Sequence, residues 1–334
     1  MREHLYCIRK NLTYNALSKH VLEWGVTHNF IFWAIDIITP GLDASGTILI
    51  IISSILALTT YGLFIEIWVY LRQNIKDIII KDLTLTVLGL FPIVTVCCQL
   101  GMYVPRAASL LDLVAAISLA AALYSFFHLT VRYLGGVSEM IDKLQYVQSR
   151  LNVGPCCCCF VCLPTFTMNW KIYGVLRIAI LQSLILQPLL HIISAVIWAD
   201  GKYFQERVNV HNPLFYIGIM MAVSTLLSFY VFNLLLKSAF MVEERRYHLV
   251  AKYVIIIVSM IIITVQPLIL ESLTAYNVIP CMGVFNWDGR GSEIDHQAKI
   301  LEMFVLLLVS RRFYRKSLPE SLSLNFDNPL HTIP

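Results

Sequence analysis

An all-helical membrane bundle of seven spans, N-terminus outside and C-terminus cytoplasmic, is the fold that this 334-residue sequence predicts. Three observations carry the prediction. Hydrophobic residues make up 58% of the chain and charged residues 14%, against about 45–50% apolar and about 25% charged in soluble domains. The apolar residues gather into long runs, six of which reach the roughly 17–25 residues that a bilayer-crossing helix needs. The basic residues concentrate in alternate links between these runs, as they do when those links face the cytoplasm. The stretches between runs are too short for a sizeable soluble domain, which takes about 50 residues or more. A soluble enzyme, a nucleic-acid binder and a receptor with a large ectodomain are therefore set aside. The net charge of +4 is too small and too scattered to signal a polyanionic partner.

Taken in order, the spans are Gly46 to Leu71, Leu83 to Val104, Ala107 to Val131, Gly174 to Trp198, Pro213 to Leu236 and Val250 to Leu270. The seventh, Gln297 to Ser310, is short and carries Lys299 and Glu302. At about 1.5 Å per residue it covers only about 21 Å, so it needs its flanks or a locally thin bilayer to cross; an interfacial helix is the alternative. Trp68, Trp170 and Trp198 fall at span ends, the headgroup level that indoles favour. Small residues recur four apart, as in Ala116/Ala120 and Gly218/Ala222, a spacing that lets helices approach closely.

With seven crossings, the inside links hold Arg72, Lys76 and Lys81, then Arg132, Lys143, Arg150 and Lys171, then Lys237, Arg245, Arg246 and Lys252. The inside tail adds Arg311, Arg312, Arg315 and Lys316, so more than half of the 25 basic residues are cytoplasmic. With six crossings that last cluster would be outside, against the positive-inside rule. The predicted organisation is an extracellular tail over 1–46, the seven-helix domain over 47–310 and a cytoplasmic tail over 311–334. The triplet Asn11-Leu12-Thr13 is an N-glycosylation acceptor, in keeping with a lumenal first tail. The start Met1-Arg2-Glu3-His4-Leu5 has no apolar signal core, which leaves the first span to act as its own insertion signal during biogenesis in the endoplasmic reticulum.

Five of the nine cysteines, Cys156, Cys157, Cys158, Cys159 and Cys162, crowd one link. This link is cytoplasmic in the predicted topology, where disulfides are rare. Zinc wants ligands two to four residues apart. Only the Cys159–Cys162 pair has that spacing and no second pair completes it, so no metal site is expected. Juxtamembrane cysteines among Phe160, Val161 and Leu163 suit S-palmitoylation, which would pin the link to membrane lipids at about 0.8 kcal/mol per buried CH₂. An unmodified apolar loop is the plain alternative. Cys97 and Cys98 fall within a span and pack as small apolar residues. Cys7 and Cys281 are both outside, and their pairing stays open.

Ionisable groups within spans usually face a cavity or a partner; here they are Glu66, Asp112, His128, Arg177, His191, Glu271 and Glu302. On the fourth span Arg177, Gln187 and His191 share an arc of about 80° at about 100° per residue. On the third, His128 and Arg132 lie one turn apart. On the sixth, Gln266 precedes Pro267, which frees a backbone carbonyl. Together these residues suggest a cationic, amide-rich lining on the cytoplasmic half, suited to an amphipathic organic anion; a purely structural hydrogen-bond network is the alternative. No catalytic arrangement stands out: Gly-x-Ser-x-Gly, a glycine-rich phosphate loop, His-Glu-x-x-His and Asp-His-His-Cys are all missing. Neither an enzyme nor a resident cofactor is expected.

Tyr133-Leu134-Gly135-Gly136 after the third span, the cysteine run with Cys162, Lys171-Ile172-Tyr173-Gly174 before the fourth and Glu302-Met303 in the last form a recognisable order. From Ala44 to Lys316 the chain resembles the organic solute transporter alpha subunit, of the solute-transporter-alpha superfamily. Many broader relatives carry an acidic residue two before the Leu-Gly-Gly, where this chain has Arg132. The resemblance implies seven spans and an outside N-terminus. It also implies facilitated, sodium-independent transport of steroid conjugates and bile-acid-like anions at the plasma membrane, with basolateral placement in epithelia, beside a single-span beta subunit. Self-association is a further expectation. A seven-span receptor and an acylated scaffold are the competing classes. Against the receptor, the third span lacks an Asp/Glu-Arg-Tyr string and the last lacks Asn-Pro-x-x-Tyr.

Overall fold

The computed structural model describes residues 44–104, 107–145, 149–150, 165–199, 213–240, 248–275 and 287–316. Among these, nine helices account for nearly all the structure: α1 (Ala44–Asn74), α2 (Ile78–Tyr103), α3 (Ala108–Tyr133), α4 (Val137–Leu144), α5 (Trp170–Ala199), α6 (Pro213–Phe240), α7 (Leu249–Thr264), α8 (Gln266–Ala275) and α9 (Trp287–Lys316). A two-residue antiparallel pair, β1 (Ser149–Arg150) with β2 (Thr165–Phe166), joins the two ends of the cysteine-rich link.

The helix ends follow local chemistry. α2 begins five residues before the expected span because Asp77 caps it: Oδ1 accepts from the backbone N–H of Ile79 at 2.8 Å and of Ile80 at 3.4 Å, satisfying donors that a helix start leaves bare. α3 ends at the Leu134-Gly135-Gly136 turn. The Gly136 N–H donates to the Val131 carbonyl and the Gly135 N–H to that of Arg132, both at 3.0 Å, which is the pattern of a Schellman cap. Gly135 holds φ +97° there, a conformation open to glycine. The sixth apolar run is broken at Val265. Pro267 cannot donate to the carbonyl four residues back, and the chain restarts there as α8.

Among the described residues, six stretches are long and apolar enough to cross a membrane: Ile48–Asn74, Ile78–Tyr103, Leu110–Tyr133, Trp170–Ile197, Tyr216–Lys237 and Leu249–Leu270. The expected seventh lies in α9, whose 30 residues extend about 45 Å at about 1.5 Å each. Its N-terminal third is polar, so the apolar criterion is not met. The outward faces of α1 and α5 are apolar, with Leu58 and Ile178 each 67% exposed, as lipid-facing surfaces are.

Consecutive helices pack side by side from α1 through α2, α3, α5 and α6, and α7–α8 and α9 return the chain to α1. Across the middle, α9 packs on α2 and α7 on α3. The first and last helices are tied by Arg311, which donates to Glu66 Oε1 at 2.7 Å, while Arg315 Nη2 approaches the same oxygen at 3.0 Å. Arg315 also lies 4.4 Å above the Tyr70 ring.

One half of the bundle is solid. At the end bearing the Gly135–Gly136 turn, Phe126, Phe127, Leu129, Leu134 and Phe232 are fully buried, and Phe126 meets Phe232 with ring centres 5.9 Å apart. Lys252 is 1% exposed and donates to the Tyr133 hydroxyl at 3.0 Å. Its ammonium sits 4.5 Å from the Tyr133 ring centre and 4.6 Å from that of Tyr314.

Candidate functional site

The opposite half of the bundle is open. A cavity of about 680 Å³ lies between α3, α5, α6, α7–α8 and α9, within the roughly 300–1,000 Å³ of small-molecule sites. Its walls come from the N-terminal halves of α3 and α6, the C-terminal halves of α5 and α7, α8, and the start of α9. Leu119, Leu123, Ile217, Met260 and Leu268 give it an apolar body, while Ser183, Ser228, Thr225 and Thr264 supply hydroxyls. The small residues Ala116, Ala120, Gly218 and Ala222, read from sequence as close-approach positions, line it as well.

Two of the expected pathway residues face this space. Gln187 donates to the Met221 carbonyl at 3.1 Å and to Thr225 Oγ1 at 2.8 Å, tying α5 to α6. His191 Nδ1 lies 2.9 Å from the Gln187 carbonyl. Arg177, His128, Arg132 and Gln266 are not among the lining residues. Arg177, exposed on α5, sits ten residues before Gln187, about 15 Å along the axis. It acts electrostatically on His128, whose ring meets those of Tyr124 and Phe127 edge-on. Gln266 bonds to Glu302. The cavity thus lies in the half away from Arg177, His128 and Arg132, whereas a cationic lining was expected at their end.

Charge enters the cavity from residues that sequence reasoning did not group. Lys299 and Asp295 form an ion pair at 2.5 Å on α9, both buried. His296 stands beside them, and Asp112 of α3 completes the polar end. His296 packs against Gly101 of α2 so closely that a Cβ at Gly101 would lie 2.6 Å from its Nε2. The only sequence signal for this group was the i, i+4 spacing of Asp295 and Lys299 at the head of a short apolar run. Lys299 counted against a span, yet it turns inward with Asp295.

Asn11, Cys7, Cys281, the acylation candidates Cys156, Cys157, Cys158, Cys159 and Cys162, and the tail beyond Lys316 lie outside the described residues. Among the described residues no cluster of three or more metal-ligating side chains occurs.

Comparison with known proteins bears on the whole bundle. The family described as "Organic solute transporter Ostalpha" matches residues 49–318. The chain is 27% identical over 286 residues to the organic solute transporter subunit alpha of Danio rerio, covering 85% of this chain and 86% of that protein. It is 27% identical to the Leucoraja erinaceus protein of the same name, over 77% of this chain and 73% of that one. The Homo sapiens protein is 25% identical, over 82% of each. No solved structure matches the chain.

Proposed function

The chain belongs to the organic solute transporter alpha family, and from that premise we propose that it carries amphipathic organic solutes through its helical bundle by facilitated, sodium-independent transport. Family membership makes it a multi-pass membrane transporter subunit. The observation that carries the finer reading is the cavity of about 680 Å³ between α3, α5, α6, α7–α8 and α9, apolar along its walls and polar at one end. Such a space matches a solute with an apolar body and a few polar groups.

In this reading α9 is the seventh crossing, which places its basic end, Arg311 to Arg315, in the cytoplasm with the C-terminus and places the 1–46 tail outside. The cavity then opens in the outer half, and the packed half around Phe126 and Phe232 closes the cytoplasmic side. Gln187 and His191 belong to the solute path within the cavity. Arg177, His128 and Arg132 belong to its continuation toward the cytoplasm, with Arg177 drawing an anionic group inward, while Gln266, between the lining residues Val265 and Pro267, belongs to the path at the level of the cavity. Steroid conjugates and bile-acid-like anions are the solute class, at a plasma membrane that is basolateral in epithelia. The relatives' names call them subunits, which supports a partner; a single-span beta subunit is the one proposed.

Uptake of labelled estrone sulfate tests this reading, in cells expressing the chain with and without a co-expressed beta subunit, in sodium and in sodium-free medium. Saturable, sodium-independent uptake that rises with the partner is expected. Uptake no greater than in untransfected cells under any condition would overturn it.

A further inference from the structure

We propose that Asp295 and His296 of α9 form a recognition point for a hydroxyl group, so that the cavity selects an uncharged alcohol end of an amphipathic solute. The inference rests on reading the cavity as the solute site and adds what that site recognises. Both residues line the cavity and each is 4% exposed. Neither ring nitrogen of His296 has a hydrogen-bond partner among the described residues, and neither does Oδ1 of Asp295. A buried polar atom left unpaired costs about 1–3 kcal/mol. His296 Nε2 is pressed on Gly101 of α2, which is not among the lining residues, so Asp295 Oδ1 and His296 Nδ1 are the two atoms that mark a place built for a further polar group.

The chemistry of that group follows from what is already satisfied. The other oxygen of Asp295, Oδ2, accepts from Lys299 Nζ at 2.5 Å, so the nearest ammonium is already paired. Asp112 faces the same cluster from α3 and acts electrostatically on His296, Asp295 and Lys299 alike. Among the described residues, two carboxylates thus stand against one ammonium and no arginine lines the cavity. A sulfate or carboxylate placed against Asp295 Oδ1 would meet net negative charge. An organic ammonium has donors and no acceptor, which would leave the N–H of a neutral His296 unmet. A hydroxyl both donates and accepts. It can give its proton to Asp295 Oδ1 while taking a hydrogen bond from His296. The close packing of His296 on Gly101 holds the ring in place, so the donor is fixed before a solute arrives.

The test is equilibrium binding to the purified full-length chain in nanodiscs, with two tritiated probes: estradiol, and estra-1,3,5(10)-triene, the same ring skeleton without hydroxyls. The wild type should prefer estradiol by about tenfold or more, the ratio that about 1.4 kcal/mol gives. His296→Phe keeps a ring over Gly101 and should cut that preference severalfold. His296→Gln, whose amide both donates and accepts, should keep part of it; this variant decides the matter if the Phe protein is not monodisperse. A wild type that binds neither probe or both equally, or a preference that survives both substitutions, would overturn the proposal and leave the cluster as a place for water. Estrone sulfate uptake separates this from the transport reading. Uptake without a hydroxyl preference refutes the recognition point alone, and a hydroxyl preference without uptake refutes the transport reading alone.

Discussion

The ammonium of Lys252 donates to the hydroxyl of Tyr133, 3.0 Å away and 119 positions earlier in the chain. It thereby fastens the start of α7 to the last turn of α3, with Tyr314 of α9 below it. Three helices converge on one buried cation. Tyr133→Phe keeps the ring and removes the acceptor. It should lower stability by about 1–2 kcal/mol, read as a reduced melting temperature of the detergent-solubilised protein. Tyr133→Leu also removes the cation–π contact, worth up to about 2 kcal/mol when desolvated, and should be lower still. Equal stability of the Phe and Leu variants would show that the ring contributes nothing.

Gly101 is required by close packing. Gly101→Leu should displace α9 from α2, because even a Cβ there would lie 2.6 Å from His296 Nε2. The expected result is a loss of folded, surface-expressed protein. Adding His296→Ala should recover part of it, since residues in contact do not behave additively. Independent, additive losses in the double variant would contradict the contact.

An epitope at the N-terminus should be accessible on intact cells, and one after Pro334 only after permeabilisation. The basis is the alternation of basic links, which ends with Arg311, Arg312, Arg315 and Lys316. Both tags on the same side would mean an even number of crossings and would remove α9 as a span.

Acyl-exchange labelling should detect thioester-linked lipid, and replacing Cys156, Cys157, Cys158, Cys159 and Cys162 together with Ser should abolish it. The spans already anchor the protein, so lower surface level or activity is expected rather than release from the membrane. A signal that persists in the five-Ser variant would place the modification elsewhere.

Arg177→Ala should reduce organic-anion uptake per surface molecule by roughly tenfold. A guanidinium replaces lost hydration with charge-assisted bonds of about 1.5–3 kcal/mol each, and about 1.4 kcal/mol is a factor of ten. Arg177→Lys should recover only part, having lost the planar fork. Normal uptake per surface molecule in the Ala variant would remove Arg177 from the path.

Hydropathy makes the six apolar crossings legible, because lipid-facing residues such as Leu58 and Ile178 must be apolar whatever they pack against. Pro267 marks the break between α7 and α8 for an equally local reason. The start of α2 was harder to place: hydropathy sets the span at Leu83, past Lys81 and Asp82, while the cap at Asp77 sets the helix. α9 was the least legible. Its polar residues Asp295, His296 and Lys299 turn toward the bundle and the cavity, so the chemistry that suits the site lowers the hydropathy that would announce the helix. The grouping of Gln187 with His191 follows from helical period, whereas their meeting with Asp112 and α9 depends on tertiary packing, which no local spacing encodes.

The bond between Glu66 and Arg311 spans 245 positions, and that separation sets an order of events during synthesis. α1 is made first among the described helices, and the partner for its carboxylate is made last. At about 5–20 residues per second, roughly 12–50 s pass between the incorporation of Glu66 and that of Arg311. Through that interval an acidic group is carried on a helix whose other faces are apolar, at a free-energy cost that Arg311 and Arg315 of α9 relieve. The ring closes last, by joining the earliest of the described helices to the latest. A chain stopped before Arg311 would therefore keep the packing of α1 on α2 yet lack the partner of Glu66, a lone carboxylate offered to whatever quality control inspects unpaired charge in the bilayer.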